Sequence, residues 1–194
     1  MIRIIDDLLP ESWQEGIQLS MNELSWVREP GTTYGPTLIQ GREIFTDSNT
    51  IDSPQFVHFA LTDADSTVMF SYLKPVLHML SDRLSLKFKN VYRTKVNHLS
   101  PMPGFVDGNY NVPHCDYIDA NMLSIIYYVN DCDGDTFMFN EQAHHGIQLE
   151  NLSVSQRITP KAGRFVVFPS NLFHASSNPI NSTSRYVINF AVGI

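Results

Sequence analysis

Cysteine is scarce in this chain. Cys115 and Cys132 are the only two in 194 residues, and neither belongs to a Cys-x-x-Cys pair. That usage argues for a reducing compartment and against a disulfide framework. No apolar run reaches the length of a membrane span. The opening Met1-Ile2-Arg3-Ile4-Ile5-Asp6-Asp7 lacks the apolar core and small-residue cleavage site of a signal peptide, so a cytoplasmic protein is expected. Basic residues are outnumbered, 13 Lys and Arg against 20 Asp and Glu, for a formal charge of -7. Such acidity disfavours nonspecific contact with nucleic acid or an anionic membrane. Internal repeats, low-complexity tracts, a phosphate-cradling glycine loop and a Gly-x-Ser-x-Gly nucleophile are all missing.

What remains is an ordinary globular composition, 43% hydrophobic, and a length that one domain accommodates. The reading divides it into helical support and loops over 1–90 and a β core over 91–194. Pro10 is a helix start, with Trp13, Ile17, Met21 and Leu24 at helical spacing to about Ser25. Glu29–Ser53 is rich in turn formers, with a short strand at Thr37–Ile39 the best fit there. Ser66 is placed to cap a second helix. Its apolar stripe is Val68, Met69, Tyr72, Leu73, Val76, Leu77, Leu80 and Leu84, and Pro75 inside it predicts a kink or local break.

Beyond Lys89 the pattern switches to alternation. Val91–Leu99 sets Arg93, Lys95, Asn97 and Leu99 on one face and Tyr92, Thr94, Val96 and His98 on the other. Arg83, Lys87, Lys89, Arg93 and Lys95 crowd this junction and read as a solvated helix end and strand face, the alternative being a dock for an acidic partner or a phosphate. Ser100–Asn111 is a loop. Met122–Val129, Thr136–Phe139, Val154–Ile158, Arg164–Phe168, Leu172–Ala175 and Arg185–Val192 are strand-like, separated by Pro, Gly and Asn. Many short strands preceded by helices give a mostly β, α+β fold: a double-stranded β-helix (jelly roll) backed by N-terminal helices.

The chemistry centres on Val112-Pro113-His114-Cys115-Asp116-Tyr117. On an extended backbone His114 and Asp116 project from one face, and Cys115 from the other. A His and a carboxylate converging this way supply two ligands of a 2-His-1-carboxylate site, the donor set of non-haem Fe(II). His174 opens a strand after the turn at Pro169-Ser170-Asn171, which is expected to set it across the roll from His114. Arg185 shares a strand face with Val187 and Asn189. If that face looks inward, a buried guanidinium requires an anion, and its planar fork suits one end of a dicarboxylic acid. His58, His78 and His98 have no ligand-like neighbours, and His144 and His145 sit in a polar loop. Asp131, Asp133 and Asp135 mimic the start of an EF-hand. Thr136 stands where its glycine belongs and Gln142 where its terminal Glu belongs, so they read as solvated turn carboxylates.

From Tyr92 onward the chain resembles the 2-oxoglutarate and Fe(II)-dependent dioxygenases, in particular their prolyl-4-hydroxylase-like branch and its small phage-type members. The resemblance is carried by the ordered motifs Pro113–Asp116, Ile126–Asn130, Gly134–Thr136, Pro160–Arg164, Phe168–His174 and Arg185–Asn189. It implies Fe(II) on His114, Asp116 and His174, with Arg185 and Tyr128 on the far carboxylate of 2-oxoglutarate. Asn189, Ser176 and Asn97 would face the cosubstrate. It further implies O2 as oxidant, possible support by ascorbate, decarboxylation of 2-oxoglutarate to succinate, and hydroxylation of a peptidyl proline or other peptide residue. An AlkB-like nucleobase oxidation, a free small molecule, or a metal-binding roll without turnover are the alternatives. Against the nucleobase, no second Arg follows Arg185 in that group's motif.

Overall fold

The computed structural model describes residues 1–33, 47–144 and 151–194. Its elements run β1 (Arg3–Ile5), α1 (Glu11–Ser20), β2 (Val27–Glu29), β3 (Gln55–Leu61), α2 (Val68–Leu84) and β4 (Asn90–Leu99). They continue with β5 (Met122–Tyr128), β6 (Thr136–Gln142), β7 (Val154–Ile158), β8 (Phe165–Pro169), β9 (Leu172–Ser176) and β10 (Arg185–Gly193). An antiparallel seven-stranded sheet has the order β1-β8-β5-β10-β4-β3-β2, and a second sheet has the order β7-β6-β9. No helix among the described residues is long and apolar enough to cross a membrane.

Strand alternation divides the major sheet into two apolar faces. Ile188, Phe190 and Val192 of β10, with Val96, Ile125, Tyr127, Phe165 and Val167, pack under Ile17 and Met21 near α1 and Leu73, Val76, Leu77 and Leu80 of α2. The opposite parity, Ile126, Tyr128, Val166, Phe168 and Val187, meets Met138, Ile158 and Leu172 in the interior of the roll. Phe137, Phe139, Phe173 and Ala175 turn outward from the smaller sheet under Tyr110. The expected jelly roll with helices behind it is therefore present.

Several local expectations change. Helix α1 stops at Ser20, not Ser25. Its last turn closes through i to i−3 bonds, Met21 N to Gln18 O, Asn22 N to Leu19 O and Glu23 N to Ser20 O, the tightening common at helix ends. Thr67, not Ser66, is the N-cap of α2, and its hydroxyl donates to Ala60 O of β3 at 3.3 Å. The helix runs unbroken past Pro75, because that residue is exposed and the carbonyl it leaves unbonded can reach water. Ile2–Leu9, which reads as a short strand and turn, carries β1, and β2 and β3 add two further strands to a stretch otherwise expected to be helices and loops. β3 escaped notice because Phe56, Val57, Phe59, Ala60 and Leu61 form a nearly continuous apolar run without alternation. The short strand expected at Thr37–Ile39 lies outside the described residues.

Candidate metal and cosubstrate site

His114 and His174 are direct cross-strand partners, not opposed across the roll. Each backbone N–H donates to the other's carbonyl, at 2.9 and 2.8 Å. Their ring centroids lie 4.5 Å apart. Val112–Tyr117 does not form a full strand. It makes this one bridge, then bends so that Asp116 N and Tyr117 N donate to Ser170 O at 3.0 and 3.2 Å. The turn after β8 thus holds the Asp116 end of the motif and β9 holds its His114 end, which explains why His174 and Asp116 meet.

His114, Asp116 and His174 offer ligand atoms that all lie within 4.8 Å of one another. His114 Nδ1 faces Val112 O at 3.2 Å, and His174 Nδ1 faces Leu172 O at 3.1 Å. A carbonyl only accepts, so each Nδ1 carries the proton and each Nε2 keeps its lone pair. Orientation of imidazoles through the second nitrogen is how metal-binding histidines are held. Burial, with the neighbouring His174 contributing, pushes His114 down to about 3, so its ring stays neutral at physiological pH. Burial lowers His174 too. Burial would push the Asp116 carboxyl up, but Arg93, the two imidazoles and the Ser124 hydroxyl hold it well below the usual carboxylate range. Two neutral imidazoles and one buried carboxylate fit a divalent first-row metal.

The braces around Asp116 were mostly invisible in the sequence. Arg93 forms an ion pair with Asp116, and Ser124 Oγ donates to it. Asn189 Nδ2 donates to Asp116 Oδ2 at 3.3 Å, and Asn189 Oδ1 accepts from Arg93 at 3.0 Å. Asn189 therefore steadies the carboxylate. The solvated-face reading of Arg93 and Lys95 fails: both line the central cavity. A signal was available, because the alternation that pointed Asn97 inward points Arg93 and Lys95 inward as well. Lys95 is buried, which with Arg93 nearby pushes its ammonium down to about 8 against the pull of Asp116.

The cavity has a volume of about 250 Å³ and runs between the two sheets. At one end lies Arg185, 2% exposed. Its Nε donates to Gly134 O at 2.7 Å and an Nη to Thr136 Oγ1 at 2.8 Å. Tyr128 is fully buried but is not part of the cavity lining. Its hydroxyl donates to Thr136 Oγ1 at 2.6 Å. Thr136 was missed as a site residue. Its oxygen accepts from both Tyr128 and Arg185, so both lone pairs are used and its own proton remains to be donated. Gly134 is required by close packing, since a Cβ there would sit 2.6 Å from Ser177 O and 3.0 Å from Arg185 Cδ. Ser176 and Asn97 also line the cavity, as expected, and Ser176 Oγ accepts from Asn111 at 3.3 Å.

The remaining candidates fall elsewhere. His98 stacks on Tyr186 at 4.3 Å, and His58 Nδ1 lies 3.1 Å from Ser25 O. His144 is exposed, and His145 lies outside the described residues. The three turn aspartates are ties between loops more than solvated carboxylates. Asp133 accepts from the backbone of Ile180, Asn181 and Ser182, Asp135 pairs with Arg157, and Asp131 accepts from Ala162 N. Cys115 touches the cavity wall, but burial raises its thiol to about 11, which leaves it unreactive.

Comparison with known proteins agrees with this geometry. None of the curated proteins matches the sequence. Residues 99–192 match the family model of the 2OG-Fe(II) oxygenase superfamily. Among solved structures, a prolyl hydroxylase from Trichoplax adhaerens, in complex with a peptide fragment of the hypoxia inducible factor oxygen degradation domain, is similar. It has a TM-score of 0.59 and 17% identity over 99% of this chain and 83% of that one. A 2OG-Fe(II) oxygenase family oxidoreductase from Burkholderia pseudomallei gives 0.64 and 11%, over 99% and 84%. A prolyl-4-hydroxylase from Pseudomonas putida gives 0.54 and 15%, over 99% and 91%. At such identities these likenesses speak for the fold, while the sequence match to the 2OG-Fe(II) oxygenase superfamily spans residues 99–192, the stretch that contains all three clustered side chains and Arg185.

Proposed function

We propose that this protein is an Fe(II)- and 2-oxoglutarate-dependent dioxygenase that hydroxylates a C–H bond of an amino-acid unit, with proline the first candidate. His114, Asp116 and His174 hold the metal. Arg185 binds the far carboxylate of 2-oxoglutarate through the edge of its guanidinium not spent on Gly134 and Thr136, and the Thr136 proton is the second donor to that carboxylate. The loaded site supplies the oxidant that places one oxygen atom of O2 on the substrate and the other in succinate as CO2 leaves. The chain's own groups do the rest: Arg93, Ser124 and Asn189 fix the carboxylate, the two carbonyls fix the imidazoles, and the apolar walls Leu99, Ile126 and Val187 exclude water.

The observation that carries this reading is the polarity of the cavity. Two imidazole Nε2 atoms and a carboxylate converge at one place, and a buried guanidinium stands at the other end. The proline preference rests on the prolyl hydroxylases among the structural neighbours. Anaerobic addition of Fe(II) and 2-oxoglutarate is expected to give the visible charge-transfer band of the chelate, and His174→Ala should abolish it. Aerobic incubation with amino acid, peptide and nucleotide pools should then yield succinate and a product heavier by one oxygen. A missing band in the wild-type protein, or one that survives His174→Ala, refutes the assignment. A one-oxygen gain confined to nucleotides would replace the substrate.

A further inference from the structure

The inward-facing series of β4 ends abruptly beside the metal ligands. Leu99, Asn97, Lys95 and Arg93 all line the cavity. Beyond Arg93 the register with β10 jumps from Ala191 opposite Arg93 to Val192 opposite Val91, so Tyr92 is the extra residue of a β-bulge. That extra residue turns Val91 away from the cavity and into the apolar layer shared with α2. A bulge bends its strand and re-aims the side chains next to it. Here the re-aimed residue is Arg93, and its guanidinium reaches Asp116.

Arg93 is held there from several sides. One Nη donates to Asp116 Oδ1 and to Asn189 Oδ1, the latter at 3.0 Å. The guanidinium carbon lies 5.9 Å from the centroid of the Tyr117 ring. The Asp116 side chain is 3% exposed, so water screens the ion pair little. The second oxygen, Asp116 Oδ2, lies 3.9 Å from His174 Nε2 and accepts from Ser124 and Asn189. The carboxylate of the metal site therefore shares its charge with a fixed guanidinium, and the two neutral imidazoles add no charge of their own.

We infer that Arg93 is a redox-tuning residue, which acts through Asp116 to hold a bound iron in its ferrous state. The inference rests on the dioxygenase reading and adds a control of that same site. Its sign follows from electrostatics. Oxidation of Fe(II) to Fe(III) removes one electron and leaves one more positive charge in a buried place. A guanidinium on the ligand opposes that charge, and hydrogen bonds to Asp116 reduce what its oxygens can donate to the metal. Because the proposed reaction starts from Fe(II), Arg93 protects the resting site from losing an electron between turnovers. It acts on the metal through a ligand and is a positioning residue.

The test uses the whole protein loaded with Fe(II) under argon, without 2-oxoglutarate. The potential is stepped with mediator dyes, and the ferric fraction is read by electron paramagnetic resonance at each step. Arg93→Gln removes the charge and keeps an amide donor. At a given potential it should raise the ferric-to-ferrous ratio at least tenfold, a fall of about 59 mV in the one-electron midpoint. Arg93→Lys keeps the charge and should recover most of that shift. A purely structural role would weaken ferrous and ferric binding alike and leave the midpoint in place. A rise of less than tenfold in Arg93→Gln therefore overturns the inference, as does an Arg93→Lys midpoint no closer to wild type than that of Arg93→Gln. Arg93→Met is the second neutral variant, used if Arg93→Gln does not melt cooperatively. If neither neutral variant folds and holds iron, Arg93 builds the site instead of tuning it, and the inference falls. Wild-type protein that does not bind Fe(II) ends the dioxygenase reading and this inference together. Wild-type protein that binds Fe(II) and gives the 2-oxoglutarate band, with a midpoint indifferent to Arg93, ends this inference alone.

Discussion

Replacing Arg185 by alanine should separate the two halves of the site. The guanidinium is 2% exposed and is fixed by Gly134 O at 2.7 Å and Thr136 Oγ1 at 2.8 Å. It lies along β10 from Asn189, the residue that reaches Asp116, by four positions or about 13 Å. A change at Arg185 therefore leaves the metal-side contacts alone. Removing one partner of a buried, hydrogen-bonded charge pair costs about 2–5 kcal/mol. At about 1.4 kcal/mol per decade, 2-oxoglutarate affinity should fall roughly 30-fold to 4,000-fold. Arg185→Lys keeps the charge but cannot reproduce the fork that holds Gly134 and Thr136 together, so an intermediate loss is expected. The assay is calorimetric titration of 2-oxoglutarate into Mn(II)-loaded protein under argon, paired with a titration of Mn(II) into the metal-free protein. Mn(II) affinity without cosubstrate should stay within about twofold, since no charge-assisted contact to the metal ligands is lost. Two results would refute the reasoning: 2-oxoglutarate affinity within threefold of wild type, or a parallel collapse of metal and cosubstrate binding in a protein that still melts cooperatively.

Thr136→Val removes the oxygen on which Tyr128 and Arg185 converge and should weaken 2-oxoglutarate about tenfold, about 1.4 kcal/mol, in the same titration. Asp133→Ala takes the acceptor away from three backbone N–H donors of the 180–182 turn and should cost about 1–3 kcal/mol, a drop of roughly 3–10 °C in Tm. Burial pushes Asp133 up, but the N–H donors of Asn181, Ser182 and Ile180 and the Asn181 side chain outweigh it and leave the carboxyl depressed. That stabilisation is present above the unfolded value of about 3.9 and is lost as pH falls through the lower folded one. The gap between variant and wild-type melts should accordingly be full at pH 7 and shrink only in strong acid, and a gap that closes by pH 6 would contradict it. Leu80→Ala opens the fully buried layer between α2 and the major sheet and should lower the urea midpoint by an amount equivalent to about 2–5 kcal/mol, with an unchanged slope.

Local chemistry and periodicity sufficed for much of this protein. Alternation in β4 and β10 sorted their side chains into two faces without saying which one looks inward, and the stripe of α2 assigned its buried side, because side-chain direction on a regular backbone follows from position alone. Residue type did the same for His114, Asp116, His174 and Arg185. Imidazole, carboxylate and guanidinium in that order have few joint uses, and all four line one cavity. Other features needed the third dimension. That His114 and His174 share a bridge, that Ser170 O pins Asp116, and that Ser124 and Arg93 brace it depend on which strands become neighbours. Lys95 looked like a surface cation because charge predicts exposure on average, and only the packing of β4 between β10 and β3 buried it. Thr136 had no pattern to betray it, since a hydroxyl becomes a donor to the cavity only after Tyr128 and Arg185 have filled its lone pairs. The sequence determined which groups could do chemistry. Tertiary structure decided which of them are desolvated and brought together, because burial and partnership are properties of contacts between distant segments.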